Sequence, residues 1–135
     1  MDDSLTIFEL KKVPYSTIMV LAKVLEHYEA LDPNEGINKI VITLRGIIDV
    51  SVLSLQHDGS MQWHDSWSIE KKECPLYFIK QLEQAKKEKN SWLGGHPCAV
   101  IDFPKEVRDY IMKRSRSGES VLKNKLLHWI RSWIK

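Results

Sequence analysis

The sequence contains only two cysteines, no internal repeat, no low-complexity segment and no long hydrophobic run. Cys74 and Cys98 have no second pair beside them, which argues against a disulfide framework and for reduced, simply packed thiols. The longest apolar runs, such as residues 18–22, are far too short to cross a bilayer. The acidic residues 1–4 carry no apolar signal segment. We therefore expect a cytoplasmic protein without a membrane span.

The composition is that of a folded domain. Hydrophobic residues make up 43% of the chain and charged residues 28%, and a disordered chain would be poorer in apolar side chains. A length of 135 residues fits one domain better than two. We therefore predict a single domain over residues 1–135, with its own hydrophobic core.

Hydrophobic periodicity and chain-breaking residues predict a mixture of strands and helices. The predicted order is strand, helix, three strands, helix, strand and two helices, at residues 5–13, 16–31, 39–45, 47–57, 60–70, from 75, 98–103, 104–114 and 121–135. The three central strands are joined tightly and should form an antiparallel meander. The predicted fold class is therefore α+β, an antiparallel sheet of three to five strands with helices packed on one face.

The dipeptide Asp58-Gly59 is the strongest hairpin signal in the chain. A two-residue turn at this point puts His57 opposite Ser60, and the pairing continues outward along both strands. In that register Asp49 lies opposite Ser68. A three-residue loop with a β-bulge is the alternative, and it turns Asp49 to the other face.

Two tryptophans mark the apolar face of the last central strand. Alternation places Trp63 and Trp67 on one face of this strand, where they should belong to the core. In the preceding strand the apolar phase shifts between Val52 and Leu53, which is the position where a bulge would restore the pairing.

A cluster of charged residues lies near the open end of this hairpin. With the two-residue turn, Asp49, Glu70 and Lys72 emerge on one face, and we call these three residues the nuclease triple. Two carboxylates and a lysine in one place can bind Mg²⁺ and activate a water for phosphodiester hydrolysis.

Residues 16–103, read as helix, three strands, helix and strand, resemble the PD-(D/E)xK nucleases, with Asp49 and the run Glu70-Lys71-Lys72 at the motif positions. The resemblance implies that Asp49 and Glu70 are Mg²⁺ ligands and that Lys72 orients the attacking water. A further ligand would come from the first long helix, at Glu26 or Glu29. The run Glu70-Lys71-Lys72 is also typical of a solvated charged segment before a helix. The pair Lys71-Lys72, in a helix–meander–helix order, resembles a double-stranded RNA-binding domain.

The last predicted helix has an apolar stripe and a basic arc. The stripe consists of Leu122, Leu126, Trp129, Ile130 and Trp133. One interpretation is that Trp129 and Trp133 pack onto the domain. The other is that they dock into a partner or a membrane surface, in which case Arg131 and Lys135 contact anions.

Positive charge is concentrated in the last part of the chain. Residues 104–135 contain nine Lys or Arg and three Asp or Glu, so this part carries +6, while the rest carries −4 of the total of +2. A basic surface suits an anionic partner, although a solvated helical face has the same composition.

These patterns support three functional hypotheses. The first is a small non-catalytic binding or regulatory module without a cofactor, which contacts another protein through Trp129, Arg131, Trp133 and Lys135. The alternative is a Mg²⁺-dependent PD-(D/E)xK-like nuclease, or an inactive relative, that uses the nuclease triple. The third is a nucleic-acid-binding protein that uses the basic C-terminal third.

Overall fold

The computed structural model describes residues 4–90 and 95–117, which form helices packed against a four-stranded sheet. The helices are α1 (Ile7–Leu10), α2 (Tyr15–Glu29), α3 (Leu76–Lys87) and α4 (residues 105–117), and the strands are β1 (Ile37–Arg45), β2 (Ile47–Leu55), β3 (Met61–Ile69) and β4 (Cys98–Ile101). A 3₁₀ turn, Lys71–Glu73, precedes α3. None of the helices in these ranges combines the length and hydrophobicity needed to cross a bilayer.

The sheet is antiparallel throughout. β1, β2 and β3 form the predicted meander, and β4 pairs with the other edge of β1, so the strand order is β3-β2-β1-β4. Gly46 alone connects β1 to β2 and has a φ of 81°, which glycine adopts without steric cost. The prediction of an α+β fold with an antiparallel sheet is confirmed.

One hydrophobic core lies between the helices and one face of the sheet. Its buried members include Leu21 and Leu25 of α2, Phe78 of α3, Ile111 of α4, and Ile40, Ile42 and Val50 of the sheet. Burial of each large apolar side chain contributes about 1.5–3 kcal/mol. α4 is also held by its Arg114 guanidinium, which donates hydrogen bonds to the carbonyl oxygens of Leu10 and Val13.

The prediction of a strand at residues 5–13 is wrong, because this segment forms the short helix α1 and a turn. The hydroxyl of Thr6 caps α1 by accepting a hydrogen bond from the Glu9 N–H at 3.3 Å. The Glu9 carboxylate in turn accepts one from the N–H of Tyr77, in the first turn of α3, at 3.0 Å. These polar contacts, together with the burial of Leu10, outweigh the partial alternation of the segment.

The prediction that the helix starting at residue 104 ends at about residue 114 is also wrong, because α4 continues through residues 115–117. The Ser115 hydroxyl donates to the carbonyl oxygen of Met112 at 2.8 Å, which lets a serine remain inside a helix. The Ser115 carbonyl accepts a hydrogen bond from the Tyr15 hydroxyl and so ties α4 to the start of α2. The last predicted helix, residues 121–135, lies outside the described residues.

The β2–β3 hairpin has the three-residue loop, so the predicted two-residue turn is wrong. Gln56 and Ser60 close the loop, with 2.8 Å from the Gln56 nitrogen to the Ser60 oxygen. Gly59 has a φ of 87°, a conformation that glycine adopts without steric cost. The Asp58 carboxylate accepts hydrogen bonds from the Ser60 N–H and hydroxyl and thereby favours the longer loop.

A second irregularity restores the predicted register in the far half of the hairpin. Near the loop, Leu53 pairs with Trp63, as in the bulged alternative. The register then shifts between Val52 and Leu53, where the apolar phase of the sequence changes. Beyond the shift Asp49 pairs with Ser68, which confirms the position predicted for Asp49.

The bulge separates the two tryptophans of β3, so the prediction that they share a face is wrong. Trp67 lies on the core side, where its ring packs edge-on against His27 at 4.9 Å between centroids. Trp63 projects from the opposite face and is 48% exposed. An extra residue in one strand reverses the side-chain phase beyond it.

Candidate functional site

The sheet has a second face, directed away from the helices, which we call the open face. Its side chains alternate with core side chains along each strand. They are Ile37, Lys39, Val41, Thr43 and Arg45 of β1, Ile47, Asp49, Ser51, Leu53 and Leu55 of β2, Met61, Trp63, Ser66 and Ser68 of β3, and Cys98 and Val100 of β4. All four described helices contribute buried residues to the core on the other face. The open face is therefore the surface on which a site can be built.

Asp49 lies at the polar end of the open face and is held by two neighbours. The Arg45 guanidinium contacts one carboxylate oxygen through Nη2 at 2.6 Å and Nε at 2.8 Å. The Ser68 hydroxyl donates to the other oxygen at 2.9 Å. The Asp49 side chain is only 10% exposed, so these charge-assisted bonds replace its hydration. Both oxygens of the carboxylate are engaged within the fold.

Small polar groups continue from Asp49 across the open face. The hydroxyls of Ser51 and Ser66 lie 3.1 Å apart across β2 and β3. The Thr43 hydroxyl contacts the Cys98 sulfur at 3.8 Å. Within the described ranges every buried side-chain nitrogen and oxygen has a hydrogen-bond partner. Beside these groups lies a shallow depression of about 360 Å³, bounded by Trp63 and His96. Its walls offer hydrogen bonds and one aromatic surface.

The hairpin end of the open face is apolar and exposed. Six large apolar side chains are exposed in the described parts of the chain, and four of them lie on this face. Three of these four, Ile37, Met61 and Trp63, lie at the hairpin end, and Val100 lies on β4 opposite Val41. The other two, Phe8 and Leu76, lie on α1 and α3.

The three residues of the nuclease triple line three different depressions. Asp49 borders the depression on the open face. Glu70 follows the end of β3 and borders a depression beside Thr17 of α2. Lys72 lies in the 3₁₀ turn and borders a groove next to Glu9.

A metal ion at Asp49 would lie beside the Arg45 guanidinium and would share the carboxylate with Arg45 and Ser68. The described residues contain no group of three His, Cys, Asp or Glu side chains able to hold a metal ion. Glu29, one of the two glutamates predicted as further ligands, forms an ion pair with Arg108, with 3.7 Å between Oε1 of Glu29 and Nη1 of Arg108. The nuclease assignment stays a prediction.

The basic C-terminal third is described only up to residue 117. Within it, Arg108 pairs with Glu29, and Arg114 is bound to two backbone carbonyls of the N-terminal segment. These two cations are therefore engaged within the fold. Trp129, Arg131, Trp133 and Lys135, the predicted partner-binding residues, lie outside the described residues.

Both cysteines are free thiols. Burial raises the pKa of Cys74 to about 12, so this thiol is protonated at neutral pH and is a poor nucleophile. Cys98 is buried on the open face, with its sulfur 3.0 Å from the carbonyl oxygen of His96. The contacts given for the Cys98 sulfur are to a carbonyl oxygen and the Thr43 hydroxyl, neither of which is a base that could activate a thiol.

Sequence reasoning found Asp49 and missed its partner Arg45. The sequence feature that could have revealed this pair is the single-residue turn at Gly46, because it pairs Arg45 with Ile47. In that register Arg45 and Asp49 lie on the same face at neighbouring positions. It also missed the buried apolar centre of the open face, because the alternation of β2 predicts only one buried face.

Comparison with known proteins provides no relative from which a role can be transferred. No family model, curated protein or solved structure matches this chain. The functional argument therefore depends on the geometry of the described residues.

Proposed function

We propose that this protein is a non-catalytic binding module that docks a protein partner on the apolar, hairpin end of its open face. The supporting observation is the concentration of exposed large apolar side chains at that end, with Met61 and Trp63 on β3 and Ile37 on β1. Soluble domains rarely gather exposed apolar residues on one surface without a contact to make there.

Trp63 is the anchor of the proposed surface. Tryptophan is enriched among residues that dominate binding energies, since its large ring buries much area at a small entropic cost. β3, which carries Trp63, is an edge strand of the described sheet, so its outer backbone groups can pair with an extended partner segment. The polar depression next to Trp63 offers the hydrogen bonds that would fix the partner's position.

Variants of the purified chain test this proposal by affinity capture from a source lysate and quantitative mass spectrometry. Trp63→Ala should reduce the recovery of specific partners at least tenfold, because loss of a binding anchor costs about 2 kcal/mol or more. Phe8→Ala is the matched control, since Phe8 is also an exposed aromatic residue but lies on α1, away from the open face.

Two outcomes would contradict the proposal. One is equal recovery of the same proteins by the wild type, Trp63→Ala and Phe8→Ala. The other is retention of nucleic acid in place of protein, with an affinity that falls steeply as salt is added, which would favour the nucleic-acid hypothesis.

A further inference from the structure

The β-bulge of the hairpin shapes the polar depression between Trp63 and His96 on the open face. The pairing of β2 with β3 shifts at His64, which is the extra residue of β3. Trp63 and Ser66 are three positions apart and would lie on opposite faces of a regular strand, but the bulge puts both on the open face. Bulges often re-aim side chains beside functional sites. This bulge brings an aromatic ring and a hydroxyl to the border of one depression.

The other border of the polar depression is held by the segment that leads into β4. The Cys98 thiol donates to the carbonyl oxygen of His96 at 3.0 Å, and the Leu44 N–H donates to the carbonyl oxygen of Pro97 at 3.2 Å. These bonds fix the backbone beside His96, which is exposed and borders the depression. The depression therefore extends across the sheet, from Trp63 on β3 to the start of β4.

Polar groups of the depression have capacity for further hydrogen bonds. The Arg45 guanidinium has five N–H donors and directs Nε and Nη2 at Asp49. The hydroxyls of Ser51 and Ser66 together have two donors and four lone pairs, and their contact at 3.1 Å uses one of each. Ser66 and Arg45 are exposed, so a ligand in the depression can reach their unused donors and acceptors.

The charges that border the depression cancel. Among the described residues, Arg45 and Asp49 are its only Lys, Arg, Asp or Glu side chains, and they pair at 2.6 Å. An anionic ligand would meet the Asp49 carboxylate, and a cationic one would meet the Arg45 guanidinium. An apolar ligand would remove water from the polar groups without replacing its hydrogen bonds. The depression therefore favours a neutral ligand with many hydrogen-bonding groups.

We propose that the polar depression is a binding site for a neutral sugar. The hydroxyls of a sugar ring both donate and accept hydrogen bonds, which matches the mixture of donors and acceptors at Arg45, Asp49 and Ser66. The C–H face of the ring can lie on the half-exposed indole of Trp63, because the face of an aromatic ring carries partial negative charge. The volume of about 360 Å³ is within the range of roughly 300–1,000 Å³ that is typical of small-molecule sites.

The sugar site goes beyond the proposed docking of a protein partner. Docking uses the apolar end of the open face, with Ile37 and Met61, whereas the sugar site uses the polar end, with Arg45 and Ser66. Trp63 borders both ends. Sugar binding is measured on the purified chain without a protein partner, so the two proposals can fail separately.

NMR titration of the isotope-labelled chain with sugars tests the proposal. The probes are glucose, galactose, mannose and N-acetylglucosamine, each raised to about 50 mM because single sugars make few contacts and bind weakly. At least one of them should shift the indole N–H signal of Trp63, which is assigned by its disappearance in Trp63→Ala. Ser66→Ala should raise the Kd of that sugar about two- to tenfold, as expected from the loss of one hydrogen bond.

Phe8→Ala is the matched control and should leave the Kd unchanged, because Phe8 is an exposed aromatic residue on α1. The proposal would be overturned if none of the four sugars shifted the Trp63 signal. It would also be overturned if only the charged probes glucose 6-phosphate or glucosamine bound, or if the sugar bound wild type, Ser66→Ala and Trp63→Ala with equal Kd. Far-UV circular dichroism checks that each variant is folded.

Discussion

At the scale of single residues, the contacts of Asp49 make its carboxylate a structural group. Asp49→Ala removes the acceptor of both Arg45 and Ser68. A hydrogen bond to a charged group contributes about 1.5–3 kcal/mol to stability. The Arg45 side chain is 57% exposed, so solvent reduces the contribution of the Arg45–Asp49 bond. We expect urea denaturation of Asp49→Ala to show a loss of about 1–2 kcal/mol in the free energy of unfolding.

Glu83→Ala on α3 is the control for this measurement, because Glu83 is an exposed carboxylate on the opposite side of the core. It should change the free energy of unfolding by less than about 0.5 kcal/mol. A gain in stability for Asp49→Ala would contradict the structural role, and it is the result expected of a carboxylate kept in place for a metal ion.

Asp58 offers a residue-level prediction about pH. The Ser60 hydroxyl, followed by the Ser60 N–H, holds the pKa of Asp58 below its usual value. A depressed pKa means that the carboxylate stabilises the folded hairpin above the unfolded-state pKa, and this contribution is lost as the pH falls through the folded-state pKa. Ser60→Ala should raise the pKa of Asp58 in an NMR titration. Gln62→Ala should leave it unchanged, because Gln62 bonds to Gln56; equal shifts in both variants would refute the assignment.

At the scale of elements, α1 and α3 stabilise each other through Glu9. Its carboxylate accepts the Tyr77 N–H in the first turn of α3, where Pro75 provides no side-chain cap. A negative charge is also favourable near the positive end of the helix dipole. Glu9→Ala should therefore lower the free energy of unfolding by about 1 kcal/mol, and Glu9→Gln by less, since an amide oxygen still accepts the bond. If Glu9→Ala and Glu9→Gln lost the same stability in thermal unfolding, the effect of Glu9 would come from its charge and not from the hydrogen bond to Tyr77.

The elements that depend on local pattern were predictable, and those that depend on distant contacts were not. The alternation of β1 and the turn residue Gly46 predict the meander, and the phase change beside Leu53 predicts the bulge. α1 was missed because its contact with α3 joins residues 68 positions apart. The same limit applies to the site: the register placed Asp49 opposite Ser68, but no local rule indicates that the second face of β2 is buried.

At the scale of the whole molecule, the centre of the described sheet is buried on both faces. Leu53→Ala tests this arrangement against Leu25→Ala, because Leu25 belongs to the core under α2. Removal of a fully buried leucine side chain costs about 2–5 kcal/mol through lost transfer energy and the cavity that remains. We expect both variants to lose stability in this range in urea denaturation.

Leu76→Ala completes the comparison, since Leu76 is 55% exposed on α3 and should cost less than about 1 kcal/mol. If Leu53→Ala cost no more than Leu76→Ala, the open face would be bare in solution and the domain would have two layers. A loss comparable with that of Leu25→Ala means that the second face of the sheet is a true core. A partner would then bind at the hairpin end around Trp63, because the centre of the open face is already buried.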